Sequence, residues 1–185
     1  VSKINYNDIV VGDKNALLIA SRVLGYGKDY SFKGYSRAEG TIKEFKIDLT
    51  TLKDKNLSKK DLIEVGVNEF NFELPHTKKV ITFKLLTHGD EKSIEKEIAG
   101  QNKIRPNSNP EVSTRLKYTI TSVDGDSEKK TIREFVDFQL LARDSKSLRD
   151  EIKRVSPDVD LKYTGEDGEE DINIPINLNF FWPDA

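Results

Sequence analysis

The segment from Glu69 to Gly100 constrains the fold of this chain more than any other. Apolar residues alternate with polar ones on both sides of a polar turn, at Phe70, Phe72, Leu74, Ile81, Phe83 and Leu85. A period of two residues is typical of strands that present one apolar face, so the segment predicts a β-hairpin. Two strands cannot bury such a face alone, and other elements must therefore cover it.

The same segment continues into a predicted helix. Asp90 is placed to cap it, two isoleucines four residues apart lie on one side, and Gly100 is a helix stop. The predicted unit is strand, turn, strand and helix. We expect it to form the centre of the core, with Phe72 and Phe83 buried.

Two more elements are predicted before this unit. An apolar run from Ala16 to Leu24, closed by Gly25, predicts a core helix. From Tyr30 onwards the pattern favours a first hairpin, whose second strand alternates between Phe45 and Leu49.

The second half of the chain is predicted to be richer in helix. The two prolines of Arg105–Pro110 indicate an exposed loop. Apolar spacing over residues 112–123 favours a helix, although residues 118–121 locally favour a strand. A helical stripe over residues 132–140 follows, and Asp144 is expected to cap a further helix.

A third hairpin is predicted near the end, where Leu161 and Tyr163 pair across the acidic turn 166–171 with apolar residues that alternate from Ile172 to Phe180. The fold class is therefore α+β, with three β-hairpins interleaved with four or five helices and antiparallel sheets.

The length of 185 residues suits a single domain over residues 1–185. The Arg105–Pro110 loop allows a substructure of residues 1–104, with a helix, two hairpins and a helix, and residues 111–185, with helices and the C-terminal hairpin.

Composition excludes several classes of protein. The formal charge of -2 gives no general attraction to nucleic acid or to an anionic membrane. With no cysteine, disulfides and thiolate metal sites are impossible. The chain also has no methionine and begins at Val1, so we expect that its true N-terminus has been lost and that a signal peptide there would escape notice.

Catalytic candidates are few. His76 and His88 lack the neighbours that a metal pair or a catalytic base requires, so we expect no catalytic residues, no cofactor and no metal site. The carboxylates of the acidic run Glu166–Asp171 could bind a divalent cation, but their spacing is not that of a calcium-binding loop. A solvated hairpin tip is the favoured interpretation.

The end of the chain carries the candidate partner-binding residues Phe180, Phe181 and Trp182. Large aromatic rings near a terminus either fix the last hairpin on the core or anchor a partner. Alternation predicts that Phe180 and Trp182 point inward and that Phe181 points outward.

Four segments together resemble a known family. They are VGDKNALLIASRVLGYGKDY, FNFELPHTKKVITFKLLTHGDEKSI, LLARDSKSLRDEIKRVSPDVDL and NIPINLNFFWP. In order and spacing they resemble the baseplate hub assembly proteins of T-even-like contractile phages and their relatives in other contractile injection systems. The resemblance covers nearly the whole chain.

The resemblance implies a non-enzymatic viral protein that acts by protein–protein binding. Its expected partners are other baseplate hub proteins or the tape-measure protein, with an oligomer within the symmetric baseplate allowed, and neither nucleic acid nor a membrane is expected. The implied location is the host cytoplasm during assembly, with retention in the virion tail baseplate left open.

Many relatives in that family carry a Cys-Pro-x-Cys-Gly knuckle in the first and last hairpins, together a four-cysteine zinc site. Here those turns are Ser36–Gly40 and Thr164–Gly168, and no metal ligand remains. The resemblance therefore implies that the first and third hairpins are neighbours held together by apolar contacts and hydrogen bonds.

Two other classes stay open at this stage. A nucleic-acid-binding ribbon-like module that has lost its zinc would bind DNA or RNA with a steep salt dependence. An enzyme that uses a metal at the acidic tip would gain stability when that metal is added.

Overall fold

The computed structural model describes residues 5–36, 39–55, 57, 67–106, 109–164 and 171–181. The α-helices in this part of the chain are α1 (Val11–Tyr26), α2 (His88–Ile104), α3 (Glu111–Thr119), α4 (Lys129–Glu134), α5 (Ala142–Val155) and α6 (Leu178–Phe181). The β-strands are β1 (Asp29–Ser36), β2 (Thr41–Asp48), β3 (Phe70–Glu73), β4 (Val80–Phe83), β5 (Ile120–Val123), β6 (Lys162–Thr164) and β7 (Asp171–Asn173).

All the strand pairs are antiparallel. They form a two-stranded sheet β1-β2, a three-stranded sheet β3-β4-β5 and a two-stranded sheet β6-β7. The predicted α+β class with three hairpins is confirmed. Among the described residues, one strand, β5, and one short helix, α6, were not predicted from the sequence.

The chain forms two compact units. Unit 1 combines Val1–Val11 with Leu57–Ser156, and unit 2 combines Gly12–Asn56 with Pro157–Ala185. This division differs from the expected substructure of 1–104 and 111–185. The reason is that β5 pairs with β4, so the residues on either side of the Arg105–Pro110 loop belong to one sheet.

The predicted central hairpin organises the core of unit 1. Phe70 lies opposite Phe83 and Phe72 opposite Ile81, so the apolar side chains share one face. Phe83, Ile81 and Leu74 are fully buried, and Phe72 packs against the same cluster. Each fully buried side chain of this size stabilises the fold by about 1.5–3 kcal/mol. Phe83 is buried as expected, whereas Phe72 is only half-buried.

Helix α2 begins and ends differently from the prediction. Thr87, not Asp90, is the N-cap, and the Asp90 carboxylate completes a capping box by accepting from the Thr87 backbone N–H at 3.0 Å. The helix also continues past Gly100 to Ile104, because nothing at Gly100 forces a turn. A glycine costs helix stability but does not end a helix by itself.

The segment predicted as one helix over residues 112–123 is half helix and half strand. α3 ends at Thr119 and β5 begins at Ile120, where the chain pairs with β4. The local preference of residues 118–121 for strand therefore prevails from Ile120 onwards. Asp124 and Gly125 have positive φ values of 52° and 86° and form the following turn.

The helical stripe at residues 132–140 is confirmed, but its second half has π-helical geometry at Phe135–Gln139. Phe135 is buried in the core of unit 1. Phe138, three residues further, is exposed.

Asp144 does not cap α5 as predicted, since the N-cap is Leu141 and Asp144 lies within the first turn. Its buried carboxylate instead accepts hydrogen bonds from the backbone N–H groups of His76 at 2.9 Å and Thr77 at 3.0 Å, and from the Thr77 hydroxyl at 2.8 Å. Burial raises the pKa of Asp144, but these hydrogen bonds outweigh burial and hold the pKa below its usual value. The residue ties α5 to the β3–β4 turn.

The third hairpin in unit 2 is shorter than predicted. β7 ends at Asn173, Pro175 follows, and the residues expected to continue the strand form α6. Proline lacks the N–H that would extend the ladder, which explains the early end. The hairpin itself is confirmed, with Tyr163 opposite Ile172.

Candidate functional site

The first and third hairpins pack against each other in unit 2. The ring of Tyr163 on β6 lies 6.0 Å from that of Phe32 on β1 and 5.4 Å from that of Phe45 on β2, measured between centroids. Gly34 allows a close approach, because a Cβ atom there would lie 2.9 Å from Cγ2 of Ile172 on β7. The neighbouring hairpins that the resemblance implies are therefore present, and aromatic and aliphatic contacts hold them together.

Local bonds stabilise the described part of the turn of the first hairpin. The buried Ser36 hydroxyl accepts a hydrogen bond from the Glu39 backbone N–H at 3.2 Å, and Gly40 adopts a φ of 66°. The Glu39 carboxylate is engaged by Lys43 at 2.6 Å. These local bonds stabilise the turn at the positions where the resemblance implies cysteine.

The corresponding turn of the third hairpin, residues 165–170, falls outside the described residues. The acidic run predicted to be a solvated tip falls there too, except for the start of β7. Among the residues that the structure does describe, no three histidine, aspartate or glutamate side chains are grouped so as to hold a metal ion.

The two histidines occupy structural positions. His88 is the first residue of α2, and its ring lies 4.3 Å from that of Tyr6. His76 is exposed in the β3–β4 turn, where its backbone N–H donates to Asp144.

The three predicted partner-binding residues have different environments. Phe180 is 0% exposed and packs edge to face on Tyr30, with centroids 4.9 Å apart. Phe181 is partly buried and contacts Phe180. Trp182 lies outside the described residues. The inward position expected for Phe180 is confirmed, and the binding role of the three residues stays a prediction.

Helix α1 is only in part the core helix that the sequence predicted. Only Ile19 and Arg22 of its sixteen residues are buried. Leu17 is 48% exposed, Leu24 is 88% exposed and Tyr26 is 52% exposed. Ile19 and Val23 pack against the core of unit 2, while α1 leaves other apolar side chains exposed. Such exposure is unusual, since apolar helix surface is normally buried.

An apolar groove runs beside α1 within unit 2. Its cavity volume is about 430 Å³, and its walls come from α1, the chain after β2 and the start of the C-terminal segment. The residues that line this groove, called the α1 groove below, are Ala16, Ile19, Ala20, Val23, Leu24, Leu49, Thr50, Leu52, Asp54 and Val159. Its volume falls within the range of about 300–1,000 Å³ that ligand pockets occupy.

Asp54 is the one carboxylate among the residues that line the α1 groove, and Asp13 lies close enough to interact with it. Burial raises the pKa of Asp13, and the negative charge of Asp54 raises it further. Neither carboxylate has an ion-pair partner within the part of the chain that the structure describes. A third carboxylate, Asp158, accepts a hydrogen bond from the Asn15 side chain at 3.0 Å. The groove therefore combines an apolar floor with uncompensated negative charge.

In the sequence, this surface is indicated only by the apolar run Ala16-Leu17-Leu18-Ile19-Ala20. Such a run has no clear polar face, so a helix with one side buried must expose apolar residues on the other. The acidic residues come from distant parts of the chain, and their proximity is visible only in the folded unit.

The described residues form an α+β fold in two compact units, with an apolar groove beside α1 in unit 2. No protein-family model matches the chain, and neither a curated protein nor a solved structure matches it. None of the helices in the described parts of the chain is long and apolar enough to span a membrane.

Proposed function

We propose that this chain is a non-enzymatic assembly protein of the baseplate hub of a contractile phage tail, and that it acts by binding another hub component or the tape-measure protein. The family resemblance along the chain supports the phage context. The packing of Tyr163 against Phe32 and Phe45 also supports it, because it provides without metal the hairpin pairing that the resemblance implies.

The α1 groove carries the proposal of protein binding. Leu24 and the neighbouring apolar residues offer exposed apolar surface that a partner would desolvate, and such desolvated contacts dominate protein–protein affinity. Asp13 and Asp54 add negative charge with no cationic partner among the described residues. The occupant that fits both features is an amphipathic helix of the partner, with apolar residues along the groove and a lysine or arginine near Asp54.

The proposed site of action is the host cytoplasm while the hub assembles. Whether the chain then leaves or stays in the particle depends on how long the partner keeps the groove occupied. Mass spectrometry of purified particles distinguishes a retained subunit from an assembly factor.

The decisive experiment is affinity purification of the tagged chain from cells infected with the phage that encodes it. We expect hub or tape-measure proteins to copurify with the wild-type chain. We expect Leu24→Glu to lose them, because it places a charge in the apolar groove next to existing carboxylates. Tyr35→Glu is the matched control, since Tyr35 is also an exposed apolar residue of unit 2 but lies on the outer face of β1.

Three results would contradict the proposal. Recovery of only ribosomal or DNA-associated proteins would favour the nucleic-acid-binding class. Equal recovery of hub proteins by Leu24→Glu and wild type would remove the α1 groove from the interface. Loss of hub proteins with Tyr35→Glu alone would move the interface to the first hairpin.

A further inference from the structure

We propose that unit 1 contains a binding site for the phosphate group of a small phosphorylated molecule. The site is a cavity of about 380 Å³ bordered by α3, β5 and α4. It lies wholly within unit 1 and does not depend on the proposed function.

The cavity wall is strongly basic. Four cationic side chains line it, namely Lys84, Lys117, Lys129 and Arg133, and Asp90 is the one carboxylate among the lining residues. Three parts of the chain supply these cations, namely the segment after β4 (Lys84), α3 (Lys117) and α4 (Lys129 and Arg133), so the cluster is not the exposed face of a single helix. Convergent cations in a concave site raise the local concentration of anions.

Ion pairs hold three of the cations in place. Lys84 lies 2.8 Å from Asp90, Lys117 lies 2.7 Å from Asp137, and Arg133 binds Glu97 through two bonds of 2.9 Å. Glu97 and Asp137 are not part of the lining. These two carboxylates therefore fix Lys117 and Arg133 without occupying the cavity.

Positive charge and hydrogen-bond donors remain after this pairing. Lys129 forms no ion pair with any residue that the structure describes, so it leaves one net positive charge at the cavity. Arg133 uses two of its five N–H groups on Glu97 and keeps three. Phosphate oxygens are the acceptors that such donors bind best.

Two residues with hydroxyl groups, Thr121 and Ser127, also line the cavity. The Thr121 hydroxyl is itself buried, so the exposed Ser127 is the residue whose hydroxyl a ligand can reach.

The size and the apolar part of the wall indicate a ligand larger than inorganic phosphate. The volume lies at the lower end of the range for small organic ligands. Ile120, Ile132 and the ring of Tyr118 supply apolar surface beside the cations. A phosphate monoester of a small organic molecule satisfies the charge, the donors and the apolar surface together.

Isothermal titration calorimetry of the full chain at constant ionic strength tests this site. The probes are inorganic phosphate, glycerol 3-phosphate and adenosine 5′-monophosphate, with adenosine as the uncharged control. We expect saturable binding of all three phosphate probes, tighter binding of at least one ester than of inorganic phosphate, and no binding of adenosine. If none of the phosphate probes shows saturable binding, the proposal is overturned. If the three probes bind with equal affinity, the inference that the ligand has an organic group beyond the phosphate is overturned.

Matched variants locate the binding. Lys129→Gln is expected to weaken phosphate binding by about tenfold or more, because it removes a charge-assisted contact. Lys130→Gln is the control, since Lys130 is the next residue, is 82% exposed at its side chain and is not part of the lining. Equal effects of the two lysine variants would exclude the cavity as the binding site.

Discussion

Gly34 occupies the point where the first and third hairpins of unit 2 come closest, and Gly34→Ala tests whether that packing stabilises the unit. The added Cβ atom would lie 2.9 Å from Cγ2 of Ile172 and 3.2 Å from Cε2 of Phe45, whereas ordinary van der Waals contact begins at 3.4 Å. The hairpins must therefore separate by about half an ångström, which forfeits part of the dispersion energy of the aromatic contacts around Tyr163.

Overpacking of this kind costs about 1–3 kcal/mol of unfolding free energy. Urea denaturation followed by circular dichroism measures the change. Gly25→Ala is the control, and its effect on the unfolding free energy is expected to have the opposite sign. Nothing lies within 4 Å of a Cβ atom at Gly25, which is within α1. Alanine there is expected to stabilise the protein by about 0.5–1 kcal/mol.

A second substitution separates the clash from a general effect of alanine. Ile172→Ala removes the Cγ2 atom that the new Cβ would meet, so Gly34→Ala should cost at least about 1 kcal/mol less in that background. A neutral or stabilising effect of Gly34→Ala in the otherwise unchanged chain would refute the hairpin packing described above.

Three further predictions concern unit 1. The hydrogen bonds from Arg133, together with those from Tyr118 and Gln101, lower the pKa of Glu97 to about 2 from 4.5 against the opposing effect of burial. The contribution of Glu97 to stability is therefore full above about pH 4.5 and is lost as the pH falls through about 2. Glu97→Gln should flatten the stability profile over that acid range by about 1 kcal/mol after solvent screening, and an unchanged profile would contradict the ion pair. Asp144→Ala leaves the His76 and Thr77 N–H groups without their acceptor and should lower the urea midpoint well below that of Asp150→Ala, an exposed aspartate of the same helix. Equal midpoints would show that the Asp144 contacts do not stabilise the fold. Gly100→Ala should raise stability by about 0.5–1 kcal/mol because α2 runs through this position in open space, and a loss of stability would indicate that the helix ends there after all.

The hairpins could be predicted from local patterns, because the alternation of apolar and polar residues along a strand does not depend on the rest of the chain. The central hairpin, the first hairpin and the Asp124-Gly125 turn all follow from residues within a short window. β5 could not be predicted in this way. Its apolar residues also fit a helical spacing, and what decides the strand is the available edge of β4, which lies about forty residues earlier in the chain.

The candidate sites were less predictable than the fold. Phe180 was correctly expected to point inward, but the exposure of α1 was not, because an apolar run normally indicates a buried helix. Asp144 shows the same limit. Its position favoured a cap, yet its carboxylate binds a turn 67 and 68 residues away in the sequence. Sequence windows cannot contain such long-range pairs.

The discontinuous construction of unit 2 has a consequence during protein synthesis. The ribosome completes Gly12–Asn56 and all of Leu57–Ser156 before it makes Pro157–Ala185, and domains fold as their residues emerge. Until then Phe32 and Phe45 lack Tyr163, and the α1 groove lacks Val159. A chain that terminates early therefore lacks both the aromatic packing between the hairpins of unit 2 and one wall of the α1 groove.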